Sequence, residues 1–354
     1  MGKLTGLDGI TYSGDDAKKV LLDDVFQDAE LNAIMTVVDG VVAKQRLAYI
    51  DNLDLIVKAD SGCGHTTGLT KAFTDRQKEW NPVNLEAWLT LCEADFRTTI
   101  ARYASKAGNL VITNPVVEAI ALELLRDAIK KDVLRQLWFN HKDAAAYTAG
   151  GILLNNDIVA DYNTYDGFFE QIMDGVADGL IPNESITANG EATTDLQLVL
   201  ADNTAKTLFR KIVQNADDRL HQATDLVIMS TSGLFYNYKN SLSDLVLETS
   251  KRELTGGFET VMFDGIPVLN MNIWSRYIKA HFRKDAVSYF RPHRAVLCSK
   301  SELLAGFCAS SVPNAIEMWV DKSEKYQQLR ALYQNDALIG REYMFSVAGL
   351  EAIS

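Results

Sequence analysis

Asparagine followed by proline at positions 114 and 115 opens the longest helical pattern in the chain, and no other feature constrains the fold as much. Asparagine is a preferred N-cap. Proline at the first helical position loses nothing, because its missing N–H has no intrahelical acceptor there. Val117, Ile120, Ala121, Leu124, Ala128, Leu134 and Leu137 keep helical spacing as far as Trp138. Asp127 and Lys131 stand four apart in the order that favours an ion pair. At about 1.5 Å per residue the helix is on the order of 35 Å long. A helix of that length is a spine around which a subunit is organised.

The segment before the spine has a different texture. It is polar and turn-rich as far as Asp16. From Asp24 to Tyr49 the pattern is helical, with Leu31, Ile34, Met35, Val38, Val42 and Leu47 roughly on one face and Gly40 weakening it midway. Asp54 to Lys58 reads as a short strand, Ser61 to Gly68 as a flexible tip, and Thr70 to Trp80 as a polar return before Asn81-Pro82. Little in this stretch builds a core, so it reads as an excursion that projects from the body. Leu85 to Ile100, with Trp88, Leu89, Leu91, Phe96 and Ile100 as anchors, fits a strand or a helix.

After Gly150-Gly151 short helical and strand-like pieces alternate, giving an α+β pattern. Asp166-Gly167-Phe168-Phe169 opens a helix reaching about Val176, and Asn203 to His221 is amphipathic. Asp225 to Ser230 and Ala295 to Cys298 are buried-type strands, and Leu234 to Leu242 is a helix. Glu259 to Phe263, Asp264-Gly265, then Ile266 to Asn270 is a strand–turn–strand, because Asp-Gly supplies the positive φ of such a turn. The tail contains strands around Gln328 to Tyr333 and Arg341 to Val347, split by Asn335-Asp336 and Gly340.

Composition excludes several classes. The 354 residues are 47% hydrophobic and 23% charged, enough apolar content to bury a sizeable core. A formal charge of −12 argues against a protein whose main task is to grip phosphate, while allowing nucleic acid to be kept nearby. Cys63, Cys92, Cys298 and Cys308 are scattered and read as reduced thiols of a cytosolic protein. Residues Met1 to Ile10 lack a secretory signal, and no apolar run is long enough to span a bilayer.

Motifs for chemistry fail on spacing. In Gly62-Cys63-Gly64-His65-Thr66-Thr67-Gly68-Leu69 no pair of glycines has the P-loop interval, and Leu69 stands where the loop needs lysine. Cys63 and His65 make half a metal site at best, since structural zinc takes four ligands. His141, His221, His281 and His293 lie in separate contexts, and Ser232 has no nucleophile elbow around it. No catalytic, cofactor-binding or metal-binding residue is therefore assigned.

The order of parts (arm, projecting ribbon, spine, compact α/β region, closing strands) resembles the major capsid proteins of tailed bacteriophages, whose fold is shared with encapsulin shells. The matching stretches are Asn114 to Phe139, Tyr165 to Ile172, Asp225 to Ser230 with Phe235 and Tyr236, Phe263-Asp264-Gly265-Ile266-Pro267-Val268, Arg294 to Cys298, and Leu329 to Val347. The resemblance implies an N-terminal arm (1–50), an extended loop (51–84), a peripheral domain (85–140 and 321–354) and an axial domain (141–320). It implies a non-enzymatic protein, without cofactor, that assembles into hexamers and pentamers of an icosahedral virion shell in the host cytoplasm. The partners implied are further copies of itself, a separate scaffolding protein, a portal, decoration proteins and enclosed double-stranded DNA, with no membrane. Leu69, Phe73, Trp80 and Trp88 are the expected intersubunit anchors, since aromatic and large apolar residues dominate interfaces. An encapsulin-like compartment shares the fold; a cytosolic α+β enzyme with an unrecognised site is the reading from another class.

Overall fold

The structure, a computed structural model, describes residues 10–12, 29–50, 75–92, 114–145, 156–243, 253–255, 257–308, 316–321 and 326–351. Along the chain come β1 (Ile10–Tyr12), α1 (Ala29–Ile34), β2 (Thr36–Asp39), β3 (Arg46–Ile50), β4 (Asp75–Glu79) and β5 (Val83–Cys92). The spine is α2 (Asn114–Phe139). Then follow α3 (Phe168–Ala177), β6 (Asn183–Glu184), α4 (Thr194–Leu198), α5 (Thr204–Gln214), β7 (Leu226–Ser230), α6 (Ser232–Ser243) and β8 (Glu253–Thr255). The chain closes through β9 (Phe258–Phe263), β10 (Ile266–Asn270), α7 (Asn272–His281), β11 (Ala295–Ser299), β12 (Leu303–Phe307), β13 (Ile316–Asp321), β14 (Tyr326–Ile339) and β15 (Phe345–Ala348).

The spine buries Leu125, Ile129, Val133 and Leu137, each four residues from the last, so one narrow stripe faces the core. Ala128, expected from the sequence to be part of that stripe, is exposed. The expected pair of Asp127 with Lys131 is absent from the ion pairs among the described residues; both side chains stand in solvent. At its end Trp138 is fully buried, 5.1 Å from the Phe168 ring and 4.5 Å from Trp274, both edge-on. Large buried rings of this kind contribute about 1.5–3 kcal/mol each. Gly167 explains the phrase that precedes Phe168: a Cβ there would stand 2.8 Å from the Leu137 carbonyl oxygen. Its N–H donates to the Asn140 carbonyl at 2.8 Å, docking α3 against the end of the spine.

Seven strands form one sheet in the order β6-β15-β11-β7-β10-β9-β8. β11 is buried along its whole length, as its apolar run requires. In the β9–β10 hairpin Asp264 and Gly265 have φ of 47° and 84°, the double positive φ expected of Asp-Gly.

The second sheet is built on β14, a strand of 14 residues. β5 pairs with it from Tyr326↔Cys92 to Asn335↔Val83. On the other side β13 and β12 pair with successive parts of β14, and β1 and β2 pair with them in turn. β3 and β4 make a separate two-stranded ribbon.

Several sequence expectations change. Among the described residues of the helix expected from Asp24 to Tyr49, only Ala29–Ile34 is helical. The β-branched run Thr36-Val37-Val38 extends instead and pairs with β12, and Gly40 turns the chain at φ 75°. In the stretch Leu85 to Ile100, which fitted either class, the described part belongs to a strand, Val83–Cys92, and the remainder lies outside the described residues. Asn335-Asp336 does not break β14, because each side chain is engaged by a tertiary partner. Asn335 Nδ2 donates to the Tyr165 hydroxyl at 2.8 Å, and the Asp336 carboxylate accepts from the Asn81 N–H at 2.7 Å. Helix α5 stops at Gln214, and a 3-10 turn covers Leu220–Gln222. Sheet membership also crosses the boundary expected at residue 321. β12 lies in the β14 sheet, whereas β15 returns to the seven-stranded sheet. The stretches around Asp54 to Lys58 and Ser61 to Gly68, with Cys63 and His65, lie outside the described residues.

Candidate assembly surfaces

The ribbon is fastened at its base. Trp80 follows β4 and is only 3% exposed, with Val41, Leu304 and Leu338 in a small cluster of its own. Gly306 lets it sit there, since a Cβ at that position would lie 2.6 Å from the indole Cζ3. Lys44 N–H donates to the Trp80 carbonyl at 2.8 Å, and Trp80 N–H donates to the Gln45 carbonyl at 3.0 Å. Lys78 reaches Glu342 at 2.7 Å. Beside this base lie exposed polar side chains: Arg46 Nε donates to Glu79 at 2.8 Å and Arg46 Nη1 to Gln77 at 3.1 Å.

Next to the ribbon, one face of the β14 sheet carries an aromatic platform. Trp88 on β5 is 54% exposed and meets Trp319 of β13 edge-on at 5.5 Å. The side chain between them is Gln328 on β14, whose Oε1 accepts from Trp88 Nε1 and from Thr90 Oγ1, each at 2.7 Å. Arg330 donates to Glu86 and, at 3.5 Å, to Glu317. Three adjacent strands thus hold one indole upright in solvent with its N–H already satisfied. Such a ring offers a large rigid apolar surface at small entropic cost, the property of an interface anchor.

Of the four anchors expected from the sequence, Trp88 is exposed and Trp80 is core, because Gly306 and Val41 cover it within its own subunit. Leu69 and Phe73 lie outside the described residues. Trp319, Gln328 and Arg330 are members of the surface that sequence reasoning misses. The alternation Glu86, Trp88, Thr90 is their signal, and it becomes legible only once Val83–Cys92 is known to be a strand.

Among the described residues a second group of exposed apolar side chains lies at α4. Leu196 and Val199 are 56% and 72% exposed and line a cleft of about 500 Å³ with Leu200 and Leu208. Val287 lies beside them, its carbonyl accepting from the Thr194 N–H at 2.7 Å.

Where the spine meets α3, His141 stands between two carboxylates, 3.5 Å from Asp166 and 3.2 Å from Glu170. Burial works against its charge, but the hydrogen bonds to Asp166 and Glu170 outweigh burial and raise its pKa to about 9. Burial opposes ionisation of Asp166 too, yet His141 and Lys142 bring it down to about 2. The cluster ties two elements together. Cys298 and Cys308 are buried free thiols, and burial pushes the Cys298 pKa well up. Among the described residues there is no group of three or more His, Cys, Asp or Glu arranged to hold a metal, and no helix long and apolar enough to cross a membrane.

No family model matches the sequence, and no curated protein matches it. Solved structures do. A chain of the satellite phage P4 procapsid, in a structure that includes the size determination (Sid) protein, superposes with a TM-score of 0.53 at 8% identity. The match covers 95% of this chain and 99% of that one. A chain of Gordonia phage Cozz superposes with a TM-score of 0.51 at 10% identity, covering 92% and 87%. The shared fold therefore runs along almost the whole chain.

Proposed function

We propose that this chain, whose fold is that of tailed-bacteriophage major capsid proteins, is the repeating subunit of an icosahedral shell that encloses a double-stranded DNA genome. The observation that carries the proposal is the superposition over 95% of this chain and 99% of the P4 procapsid chain. Within that reading the β3–β4 ribbon is the base of the extended loop, α2 with the β14 sheet is the peripheral domain, and the seven-stranded sheet is the axial domain.

The role is structural. A closed shell requires each subunit to contact several neighbours through different surfaces, so that modest contacts add by multivalency. Two exposed features suit that need. The Trp88 platform takes a neighbour on the peripheral side, and the apolar patch of Leu196 and Val199 takes one on the axial side. Hexamers and pentamers are the expected intermediates, with a separate scaffolding protein, a portal and decoration proteins as partners. Negative-stain microscopy of the expressed protein, paired with sedimentation, tests the reading. Rings or shells are the expected result; a compact monomer at every salt and protein concentration overturns it.

A further inference from the structure

The overall charge of −12 conceals a local reversal of sign. A groove of about 370 Å³ runs between the outer side of the spine and the first turn of α7. Lys130 and Lys131 line it from the spine, Arg276 lines it from α7, and Asp127 is the one carboxylate among its described lining residues. Leu134, Phe258 and Ile273 supply apolar lining. Lys131 and Arg276 are both exposed, and among the described residues neither is joined to a carboxylate. Arg276 is held in place by its neighbour, donating from Nη2 to the Tyr277 hydroxyl at 2.9 Å with the guanidinium over that ring. The N-cap of α7, Met271, gives no side-chain cap, so the positive end of that ten-residue helix adds to the same potential.

We infer that this groove binds the phosphates of a nucleic-acid backbone. The inference rests on the shell reading above and deepens it by naming the part of the subunit that meets the enclosed polymer. Charge complementarity decides the occupant. A chain so acidic repels a polyanion over most of its surface, and a slot with cations on two opposing elements is where a phosphate strand can lie. The cations come from exposed Lys and Arg side chains on regular helices, the mode of contact that is blind to sequence. That suits a wall touching whatever genome is inside. Few contacts per subunit keep each grip weak, while many subunits repeat it.

The test uses the full-length protein. Binding of a fluorescein-labelled DNA duplex is followed by anisotropy at several salt concentrations for the wild type, for Lys131→Gln/Arg276→Gln, and for the control Lys206→Gln/Arg210→Gln on α5, which removes the same charge elsewhere. Circular dichroism and gel filtration check that each variant is folded. The groove variant is expected to bind about ten-fold more weakly than the control, with a log–log salt slope shallower by about 2, roughly one for each cation removed from the groove. Equal affinity in the two variants overturns the inference, as does wild-type binding that ignores salt. Inorganic phosphate is titrated separately by ³¹P NMR, and saturable phosphate binding without duplex binding assigns the groove to a small anion and also overturns it. Polyglutamate that binds more tightly than the duplex overturns it in favour of an acidic protein segment. Shell formation is scored independently by microscopy. Shells whose groove variant matches the control end this inference and leave the proposed function standing; a groove-dependent DNA affinity in a chain that never assembles does the reverse.

Discussion

The Trp80 indole lies directly over Gly306, close enough that a single added methyl at 306 would meet the ring at 2.6 Å. This contact joins the foot of the ribbon to β12, far away in sequence, and it works only because one partner has no side chain. Gly306→Ala is therefore expected to push the ring off its seat at a cost of about 1–3 kcal/mol, the usual penalty for overpacking. Thermal unfolding reads the loss. Amide exchange at Lys44 and Trp80, whose N–H groups bond across the ribbon foot, is expected to speed up more than exchange in β11.

His141 gives the fold a pH dependence on the alkaline side. Its pKa is raised to about 9 in the folded chain by Asp166 and Glu170, against the opposing effect of burial. A group whose pKa rises on folding contributes stability that is complete below its unfolded value of about 6.5. That contribution is lost as pH climbs from there through about 9. Solvent screening reduces it to on the order of 1–2 kcal/mol. Denaturant melts of the wild type between pH 6 and 10 are expected to fall over this window, and His141→Gln to flatten the fall. Parallel curves for the two proteins would remove His141 from the account.

Asp336 acts in the opposite part of the scale. Burial raises its pKa to about 6, although the Asn81 and Ala337 N–H groups donate to the carboxylate and favour its charge. A raised carboxylate pKa means that the folded chain holds the proton more tightly than the unfolded chain. The contribution to stability is then full below about 4 and declines as pH rises through about 6. Asp336→Asn is expected to erase this decline between pH 4 and 6 while leaving the alkaline limb that belongs to His141. Unfolding midpoints across pH 3.5–7 separate the two groups.

Local signals and distant partners explain which features are legible in the sequence. The spine is readable because its start and its apolar spacing lie within one continuous segment, and it runs from Asn114 to Phe139. Asp264-Gly265 is readable because backbone geometry at the turn depends on those two residues alone. Thr36 to Asp39 misleads because helical spacing of apolar residues competes with β-branching. The tie is broken by β12, more than 260 residues later, at Leu304↔Thr36. Asn335-Asp336 looks like a turn because such side chains seek nearby backbone partners; here the Tyr165 hydroxyl and the Asn81 N–H engage them from distant parts of the chain. The platform is the least legible feature. Trp88 stands out by itself, but Gln328 and Trp319 join it only through strand register, which a sequence read in one dimension does not display.

Trp80 and Trp88 separate folding from assembly, because two indoles eight positions apart have opposite surroundings. Trp80 is buried and Trp88 is 54% exposed. Trp80→Ala leaves a cavity beneath the ribbon and is expected to cost about 3–5 kcal/mol. Trp88→Ala forfeits an edge-on packing against Trp319, one exposed hydrogen bond to Gln328 and little burial, about 1–2 kcal/mol, so the subunit stays folded. If the platform is an intersubunit anchor, Trp88→Ala nevertheless raises the concentration needed for assembly by about ten-fold or more, the signature of a missing interface anchor. Sedimentation velocity over a concentration series measures that threshold, and circular dichroism on the same samples reports folding. Assembly of the Trp88 variant at the wild-type threshold would show that the ring serves only its own sheet.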